Sequence, residues 1–252
     1  MAKFIRYRAG SATSYGILDG ETVRDISGGL FDSRTPTGVT HPLADVKLLA
    51  PCEPGKILAV GLNYKSHLGG RPQPANPEIF YKPVTSLLDP GEPIVLPREA
   101  TDVHYEGELV VVVGKRVRNA SPEEAQDAIF GVTCGNDVSE RNWQHGAGKD
   151  LQWWRAKGSD TFAPLGPAIV TGLDYRNLQL ETRLNGESVQ KQTTGDLIFD
   201  CPAIISRISG WVTLLPGDII YTGTPGSTRK LAKGDVVEVE IEGVGVLRNP
   251  VA

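Results

Sequence analysis

The segment VHYEGELVVVVG, residues 103–114, contains two glutamates one residue apart, directly before a run of valines. Because side chains alternate between the two faces of a strand, Glu106 and Glu108 are predicted to point to the same side. Two carboxylates on one face repel each other unless water screens their charges or a cation binds between them. The pair therefore predicts either a solvated strand end or part of a metal site.

A third carboxylate, Asp137, follows the apolar segment AIFGVTCGN. Three carboxylates without a cluster of His or Cys favour a hard divalent cation with oxygen ligands, namely Mg²⁺, Mn²⁺ or Ca²⁺, over zinc. The same residues also have ordinary roles, because an E-x-E pair is most often solvated and Asp137 beside Asn136 suits a turn. The residue types alone leave both interpretations open.

Three further segments carry polar groups that could contact a substrate. Lys157 follows the apolar cluster LQWW, so it is either a surface charge or a partly desolvated cation that stabilises an oxyanion or enolate. Thr224 and Gly223 lie in IIYTGTPG, a strand end or a group of donors for a carboxylate. His67 lies in a Gly- and Pro-rich stretch, as a surface residue or as the proton carrier of a mobile lid.

Composition limits the class of protein. The 252 residues can bury a full core, and 29 glycines with 18 prolines suit many short strands and tight turns. A net charge of −4 offers no basic surface, so we expect no nucleic acid or membrane partner. Neither a signal peptide nor a membrane-spanning segment is expected. The three cysteines are far apart and form no C-x-x-C pair, which favours a reduced, cytoplasmic protein.

The pattern of elements predicts an α+β fold that is richer in strand than in helix. Residues 1–50 alternate in polarity and contain an Asp-Gly hairpin turn, which predicts a small N-terminal β-rich domain. Prolines and a glycine then mark the start of the main body, residues 51–252. Ser121 and Pro122 predict the beginning of a helix, and a second helix is expected within CPAIISRISGWVTLLPGD.

Six segments in a fixed order resemble the fumarylacetoacetate hydrolase family. They cover roughly residues 55–250 and are KILAVGLNYKSH, FYKPVTSL, VHYEGELVVVVGK, GNDVSERNWQ, KGSDTFAPLGP and GDIIYTGTPG. The resemblance implies a β-roll catalytic domain, commonly dimeric, that binds Mg²⁺ or another divalent ion. We therefore expect a homodimer that acts on a small anionic 2-oxo acid.

The resemblance also implies roles for ten residues, position by position. The expected metal ligands are Glu106, Glu108 and Asp137. The expected catalytic side chains are Lys157, His67 and Gln144. The expected substrate-binding residues are Thr224, Gly223, Tyr105 and Arg141.

The chain departs from the family pattern where water would be activated. Hydrolytic members often carry His-x-x-Glu after the NY motif, whereas Gly70 stands three residues after His67 here. Glu78 is one candidate to replace the glutamate. In addition, His104 occupies a position where members often have Asp.

The leading expectation is a metal-dependent hydrolase that cleaves a C–C bond in a small 2-oxo or 2,4-dioxo acid. The substrate would be of the acylpyruvate or fumarylacetoacetate type, in the catabolism of aromatic or related acids. The missing glutamate supports an alternative, an isomerase or decarboxylase of the 2-hydroxyhepta-2,4-diene-1,7-dioate or oxaloacetate type. A non-catalytic binding protein on the same fold ranks last, because all the metal carboxylates and Lys157 are present.

Overall fold

The computed structural model describes residues 1–252, which form 18 strands and four short α-helices. The first strands are β1 (Ala2–Ala9), β2 (Ala12–Asp19), β3 (Thr22–Ser27), β4 (Thr35–Pro42) and β5 (Lys47–Leu49). The next are β6 (Ile57–Gly61), β7 (Glu78–Lys82), β8 (Leu87–Leu88), β9 (Val103–His104), β10 (Gly107–Val113), β11 (Ile129–Asn136), β12 (Ser139–Glu140) and β13 (Ala163–Thr171).

The C-terminal strands are β14 (Gln179–Leu184), β15 (Glu187–Thr193), β16 (Ile219–Tyr221), β17 (Val236–Ile241) and β18 (Gly245–Pro250). The helices are α1 (Pro122–Asp127), α2 (Arg141–Gln144), α3 (Trp154–Gly158) and α4 (Cys201–Ser209). The predicted α+β fold, richer in strand than in helix, is therefore confirmed. None of the four helices has the length and apolar character that a membrane crossing requires.

Twelve strands form one sheet, in the order β4-β3-β2-β1-β13-β11-β10-β16-β6-β7, with β5 paired to β1 and β8 paired to β13. A second sheet has the order β15-β14-β17-β18, and β9 pairs with β12. Because β1 pairs with β13, the strands of residues 1–50 continue the large sheet instead of forming a separate one. The domain boundary at residue 50 stays a prediction.

Strand β10 explains the run of valines, because both of its faces are covered. Leu109, Val111 and Val113 pack into the largest apolar cluster of the protein. Val110 and Val112 pack into a second cluster on the opposite face. A strand buried on both sides needs apolar residues at every position, and each buried valine stabilises the fold by about 1.5–3 kcal/mol. This packing holds the start of β10 in a fixed place.

Both predicted helices are confirmed. Ser121 precedes α1, its Oγ accepts the Glu124 N–H at 3.2 Å, and the Glu124 carboxylate accepts the Ser121 N–H at 2.8 Å. This reciprocal pair is a capping box, which satisfies two N–H groups at the helix start. Asp200 caps α4 with a single bond, in which its Oδ1 accepts the Ala203 N–H at 2.8 Å. The buried isoleucines of α4 then pack against the large cluster that contains β10.

Candidate active site and metal centre

Three carboxylates converge where β10 begins and β11 ends. The two strands are antiparallel with Gly107 opposite Asn136, which brings Glu106 and Glu108 next to Asp137. One oxygen of each carboxylate lies within 4.8 Å of the other two, and all three side chains are buried. The interpretation of Glu106 and Glu108 as a solvated strand end is therefore wrong.

Gly107 allows this convergence. A Cβ at this position would lie 2.0 Å from Oγ1 of Thr182 on β14. Two hydrogen bonds of 2.8 Å also fix the backbone around Gly107. The Glu106 N–H donates to Oδ1 of Asn136, and the Asp137 N–H donates to the Glu106 carbonyl. The carboxylates therefore start from a rigid backbone.

Two buried lysines contact the carboxylates. Nζ of Lys157 donates to Glu106 at 2.6 Å and to Asp137 at 2.5 Å, and Nζ of Lys82 donates to Asp137 at 2.5 Å. Burial lowers the pKa of Lys157, but the charges of Asp137 and Glu106 outweigh burial, so its pKa lies above the usual value. Lys157 is thus a charged group inside the protein, as the sequence interpretation of a desolvated cation predicted.

Glu108 has no positive partner. Its Oε2 accepts the Gly223 N–H at 2.7 Å, and no cationic side chain forms a salt bridge with it. Burial, together with the charges of Asp137 and Glu106, raises the pKa of Glu108 well above its ordinary value. A cation bound among the three carboxylates would supply the missing charge. Oxygen ligands of this kind fit Mg²⁺, Mn²⁺ or Ca²⁺, so the residues fit the predicted metal.

Arg141 and Gln144 form the wall beside Glu106, on the single turn of α2. Nη1 of Arg141 forms a salt bridge with Oε1 of Glu106 at 2.6 Å and donates to Oε1 of Gln144 at 2.7 Å. The Oε1 of Gln144 is thereby occupied, while its Nε2 makes no hydrogen bond within the protein. Gln144 therefore presents a donor to the cavity, which suits the predicted contact with a substrate oxygen.

His67 lies at the opposite side of the cavity with a defined tautomer. Its Nδ1 is 2.6 Å from the carbonyl of Gly226, and a carbonyl can only accept. Nδ1 therefore carries the hydrogen, and Nε2 of the neutral ring is an unprotonated acceptor. This Nε2 lies 4.0 Å from Oε1 of Glu106. His67 is thus positioned to exchange a proton with a molecule bound above the carboxylates.

The structure does not bring three of the expected residues to the cavity in the expected way. The Tyr105 side chain is buried in a separate apolar cluster and is not among the residues that line the cavity, so its substrate contact stays a prediction. The Gly223 N–H donates to Glu108, so in this structure it holds one of the three carboxylates. Glu78 lies on β7 and lines the neighbouring groove instead of the cavity.

Thr224 lines the cavity, but its hydroxyl already has two partners. It donates to the Gly107 carbonyl at 2.9 Å and accepts from Nε2 of Gln190 at 2.9 Å. The same glutamine accepts the Gly107 N–H at 3.1 Å. Thr224 therefore ties the TGTP turn to the backbone between the two glutamates.

The cavity has a volume of about 340 Å³ and is rich in positive side chains. Two lining residues were not singled out from the sequence: Arg71, and His145, whose pKa is lowered by burial and by the nearby charge of Arg71. A larger groove of about 810 Å³ adjoins it through Phe80 and Trp153 but contains none of the three carboxylates. The smaller cavity is therefore the candidate active site.

Comparison with known proteins identifies the family. The family model described as fumarylacetoacetate (FAA) hydrolase, C-terminal, matches residues 56–252. The chain belongs to the fumarylacetoacetate hydrolase family. A second family model, described as Rv2993c-like, N-terminal, matches residues 2–51. Members of the fumarylacetoacetate hydrolase family are enzymes, and they include hydrolases, isomerases and tautomerases.

Three similar proteins illustrate this range. The mitochondrial oxaloacetate tautomerase of Xenopus laevis is 42% identical, over 82% of this chain and 69% of its own length. The structure of a 2-hydroxyhepta-2,4-diene-1,7-dioate isomerase from Mycobacterium marinum is 42% identical, with a TM-score of 0.92 over 100% of this chain and 98% of that one. A fumarylacetoacetate hydrolase from Exiguobacterium antarcticum is 31% identical, with a TM-score of 0.89 over 100% and 99%.

Lys82 is the most important site residue of this family member that sequence reasoning missed. It lies in the segment FYKPVTSL, which contributed to the resemblance, but no role was assigned to it. Lysine is rarely buried without a partner, so its position in the strand EIFYK gave no direct sign of burial. The structure shows that it also donates to the Lys157 carbonyl, and it therefore holds both Asp137 and the catalytic lysine candidate.

Proposed function

We propose that this chain is a divalent-metal-dependent enzyme that interconverts the enol and keto forms of a small 2-oxo dicarboxylic acid. The observation that carries the proposal is the environment of His67. Its Nε2 faces the cavity, yet the metal carboxylates are the only acidic side chains that line the cavity. The ring has a backbone carbonyl instead of a carboxylate as its partner, so it lacks the group that would make it a strong base towards water.

The charges around the site favour a dianion. The site combines three carboxylates with three cationic side chains: Glu106, Glu108 and Asp137 with Lys82, Lys157 and Arg141. With all six side chains charged the set is neutral, and a bound divalent cation gives it two positive charges. A substrate with two carboxylates neutralises that excess, and Arg71 adds a further positive charge at the cavity wall.

The chain's own residues provide the remaining chemistry. When bound, the metal would act as a Lewis acid towards the 2-oxo group. Nε2 of His67 takes the proton from C3 of the keto form and returns it in the opposite direction. The negative charge that develops on the substrate oxygen is stabilised by the Gln144 amide and by the one N–H of Lys157 that its two carboxylate partners leave free. Transfer of the proton from Nε2 of His67 to that oxygen gives the enol and returns the ring to its neutral form.

The similar proteins support the same choice. The tautomerase and the isomerase are each 42% identical to this chain, whereas the hydrolase is 31% identical. The names of the tautomerase and the isomerase contain oxaloacetate and 2-hydroxyhepta-2,4-diene-1,7-dioate. These compounds have four and seven carbons, and both are diacids with an oxygen at C2. We take this shared chemistry as the proposed substrate class.

Hydrolysis of a C–C bond is the second candidate, as the sequence predicted. It is favoured by the hydrolase of the same fold, which matches the whole chain. It also requires that Nε2 of His67 take a proton from water, which its position in the cavity allows.

The experiment is a substrate panel with product identification. Enol-oxaloacetate, a hydroxy-dienoate diacid, acylpyruvates and fumarylacetoacetate are assayed with Mg²⁺ and with Mn²⁺. We expect ketonisation or double-bond isomerisation of the diacids without cleavage. His67→Ala should lower this rate by about two to four orders of magnitude, the span typical of a general base. Glu78→Gln, outside the cavity, is the matched control and should keep the wild-type rate. Cleavage products as the main outcome would support hydrolysis instead.

A further inference from the structure

We propose that Asp102, His104 and Thr228 form a hydrogen-bonded relay that orients Arg141 and, through it, the amide of Gln144. His104 and Thr228 are thereby positioning residues for the candidate reaction. The inference rests on the proposed function only for the catalytic consequence, because the relay itself is defined by hydrogen bonds of the protein.

The relay is continuous in the structure. Nε2 of His104 is 3.0 Å from Oδ1 of Asp102, and Nδ1 is 2.8 Å from Oγ1 of Thr228. The same Oγ1 is 2.9 Å from Nη2 of Arg141. The guanidinium then continues through Nη1 to Oε1 of Gln144 at 2.7 Å. Five side chains thus form one chain of hydrogen bonds from Asp102 to Gln144 at the cavity wall.

The direction of every hydrogen bond follows from the two charged groups of the relay, of which the guanidinium has donors only. At the other end, the Asp102 carboxylate can only accept, so Nε2 of His104 carries the ring hydrogen and donates to it. Nδ1 of the neutral ring therefore accepts from the Thr228 hydroxyl, whose oxygen accepts from Arg141. At the cavity, Arg141 donates to the Gln144 oxygen, so Gln144 presents its NH₂ group to the cavity.

The relay is needed because α2 cannot fix its own side chains. The helix has four residues, which is far below the length at which a helix is stable alone. Glu140 holds its backbone by accepting the Trp143 N–H at 2.6 Å and the Asp102 N–H at 2.8 Å. These bonds fix the main chain, whereas the plane of the Arg141 guanidinium is fixed by Glu106, Gln144 and Thr228.

Loss of the relay has a specific consequence. Without an acceptor at position 228, Nη2 of Arg141 has no partner and the guanidinium can rotate away from Gln144. The Gln144 amide is then free to flip and to present its oxygen to the anionic substrate. Because this contact matters most when negative charge develops, kcat should fall more than KM rises.

The test compares variants of almost equal size. Thr228→Val removes the hydroxyl, while Thr228→Ser keeps it. His104→Leu removes the acceptor for Thr228, while His104→Asn keeps an amide oxygen near the place of Nδ1. We expect Thr228→Val and His104→Leu to lower kcat by about ten- to a hundredfold, as for loss of a hydrogen bond to a charged group. Thr228→Ser and His104→Asn should keep most of the wild-type kcat. In a Gln144→Leu background, Thr228→Val should have little further effect.

Two readouts do not depend on turnover. The side-chain amide resonances of Gln144 are followed by NMR in the metal-free protein, and the affinity for oxalate, a planar dianion, is measured by calorimetry with Mg²⁺ present. Thr228→Val should shift the resonances and weaken oxalate binding, and Thr228→Ser should do neither. Unchanged resonances and affinity in Thr228→Val would overturn the relay. If the wild-type protein converts no 2-oxo acid but the resonances shift as expected, the proposed function fails while the relay stands.

Discussion

Glu108 is the residue whose surroundings most require a cation. Glu106 and Asp137 each contact a lysine, whereas Glu108 is buried with one N–H donor and no positive partner. The two glutamates, only two residues apart, should therefore respond in opposite ways when their charge is removed.

The first prediction concerns the stability of the metal-free protein. Glu108→Gln removes a buried carboxyl group that can ionise only at a cost in the folded protein, and we expect it to raise the free energy of unfolding by about 1–3 kcal/mol. Glu106→Gln leaves Arg141 without a charged partner and Lys157 with only Asp137, and we expect it to lower this free energy by about 3–5 kcal/mol. Urea unfolding in excess chelator measures both. Equal effects of the two changes would contradict the assignment.

The second prediction concerns pH. The pKa of Glu108 in the folded, metal-free protein is raised above its ordinary value of 4.5 by burial and by Asp137 and Glu106. Above about pH 4.5 the unfolded chain has released this proton while the folded protein still holds it, so stability is lost as the pH rises. The stability advantage of Glu108→Gln over wild type should therefore grow from pH 4.5 upwards. An advantage that stays constant over several pH values in chelator would count against the shift.

The third prediction concerns Lys157, which is held over the Phe80 ring at 5.2 Å and bonded to two metal carboxylates. Lys157→Met should lower kcat far more than it raises KM, because the ammonium acts on charge that develops in the transition state. Steady-state kinetics with the best substrate of the panel measures the two constants. A variant with unchanged kcat would reduce Lys157 to a structural role.

Residue types predicted much of the site but not all of it. The E-x-E pair and Asp137 were found from spacing and resemblance, and they lie at the facing ends of the paired strands β10 and β11. Lys157, on α3, was found from the resemblance. Arg71, His145 and Thr228 come from three separate loops, and nothing in their local sequence indicates that the loops meet. Tyr105, between β9 and β10, packs into a separate apolar cluster, which its position next to Glu106 in the sequence does not indicate.

At the scale of elements, the sequence was most informative where a local signal decides the structure. The capping residues of α1 and the valines of β10 are such signals. The short helices α2 and α3 were not predicted, because each has only four or five residues and depends on its surroundings. Trp153, which precedes α3, even adopts a left-handed backbone with φ of 55°, which sequence patterns do not indicate for a bulky residue.

The fourth prediction belongs to the junction of β10 and β14. A Cβ on Gly107 would collide with Oγ1 of Thr182, an oxygen that has no hydrogen-bond partner. Gly107→Ala should therefore destabilise the protein by about 1–3 kcal/mol and weaken metal binding, as both glutamates shift. Adding Thr182→Ala should recover part of both losses, because it removes the colliding oxygen. Gly148→Ala, where the added Cβ makes ordinary contacts, is the control. Thermal unfolding and metal titration measure the effects.

At the scale of the whole molecule, the site lies where the two sheets meet. The large sheet supplies β10, β11 and β16, and the second sheet supplies Thr182 and Gln190. Such a junction requires pairings between strands that are distant in sequence, for example β16 with β6 and β1 with β13. Periodicity predicts that strands exist but contains no information on this order. The homodimer and the cytoplasmic location expected from the sequence stay predictions.

The central claim is that a divalent cation at the three carboxylates, together with His67, moves a proton at C3 of a 2-oxo diacid. Hydrogen–deuterium exchange at C3, followed by proton NMR in D₂O, measures this step directly. With Mg²⁺, the wild-type protein should exchange C3 well above the uncatalysed rate, and excess chelator, Glu108→Gln or His67→Ala should each return the rate to near that background. Equal exchange in chelator and in Mg²⁺, or no exchange with any divalent metal, would contradict the account.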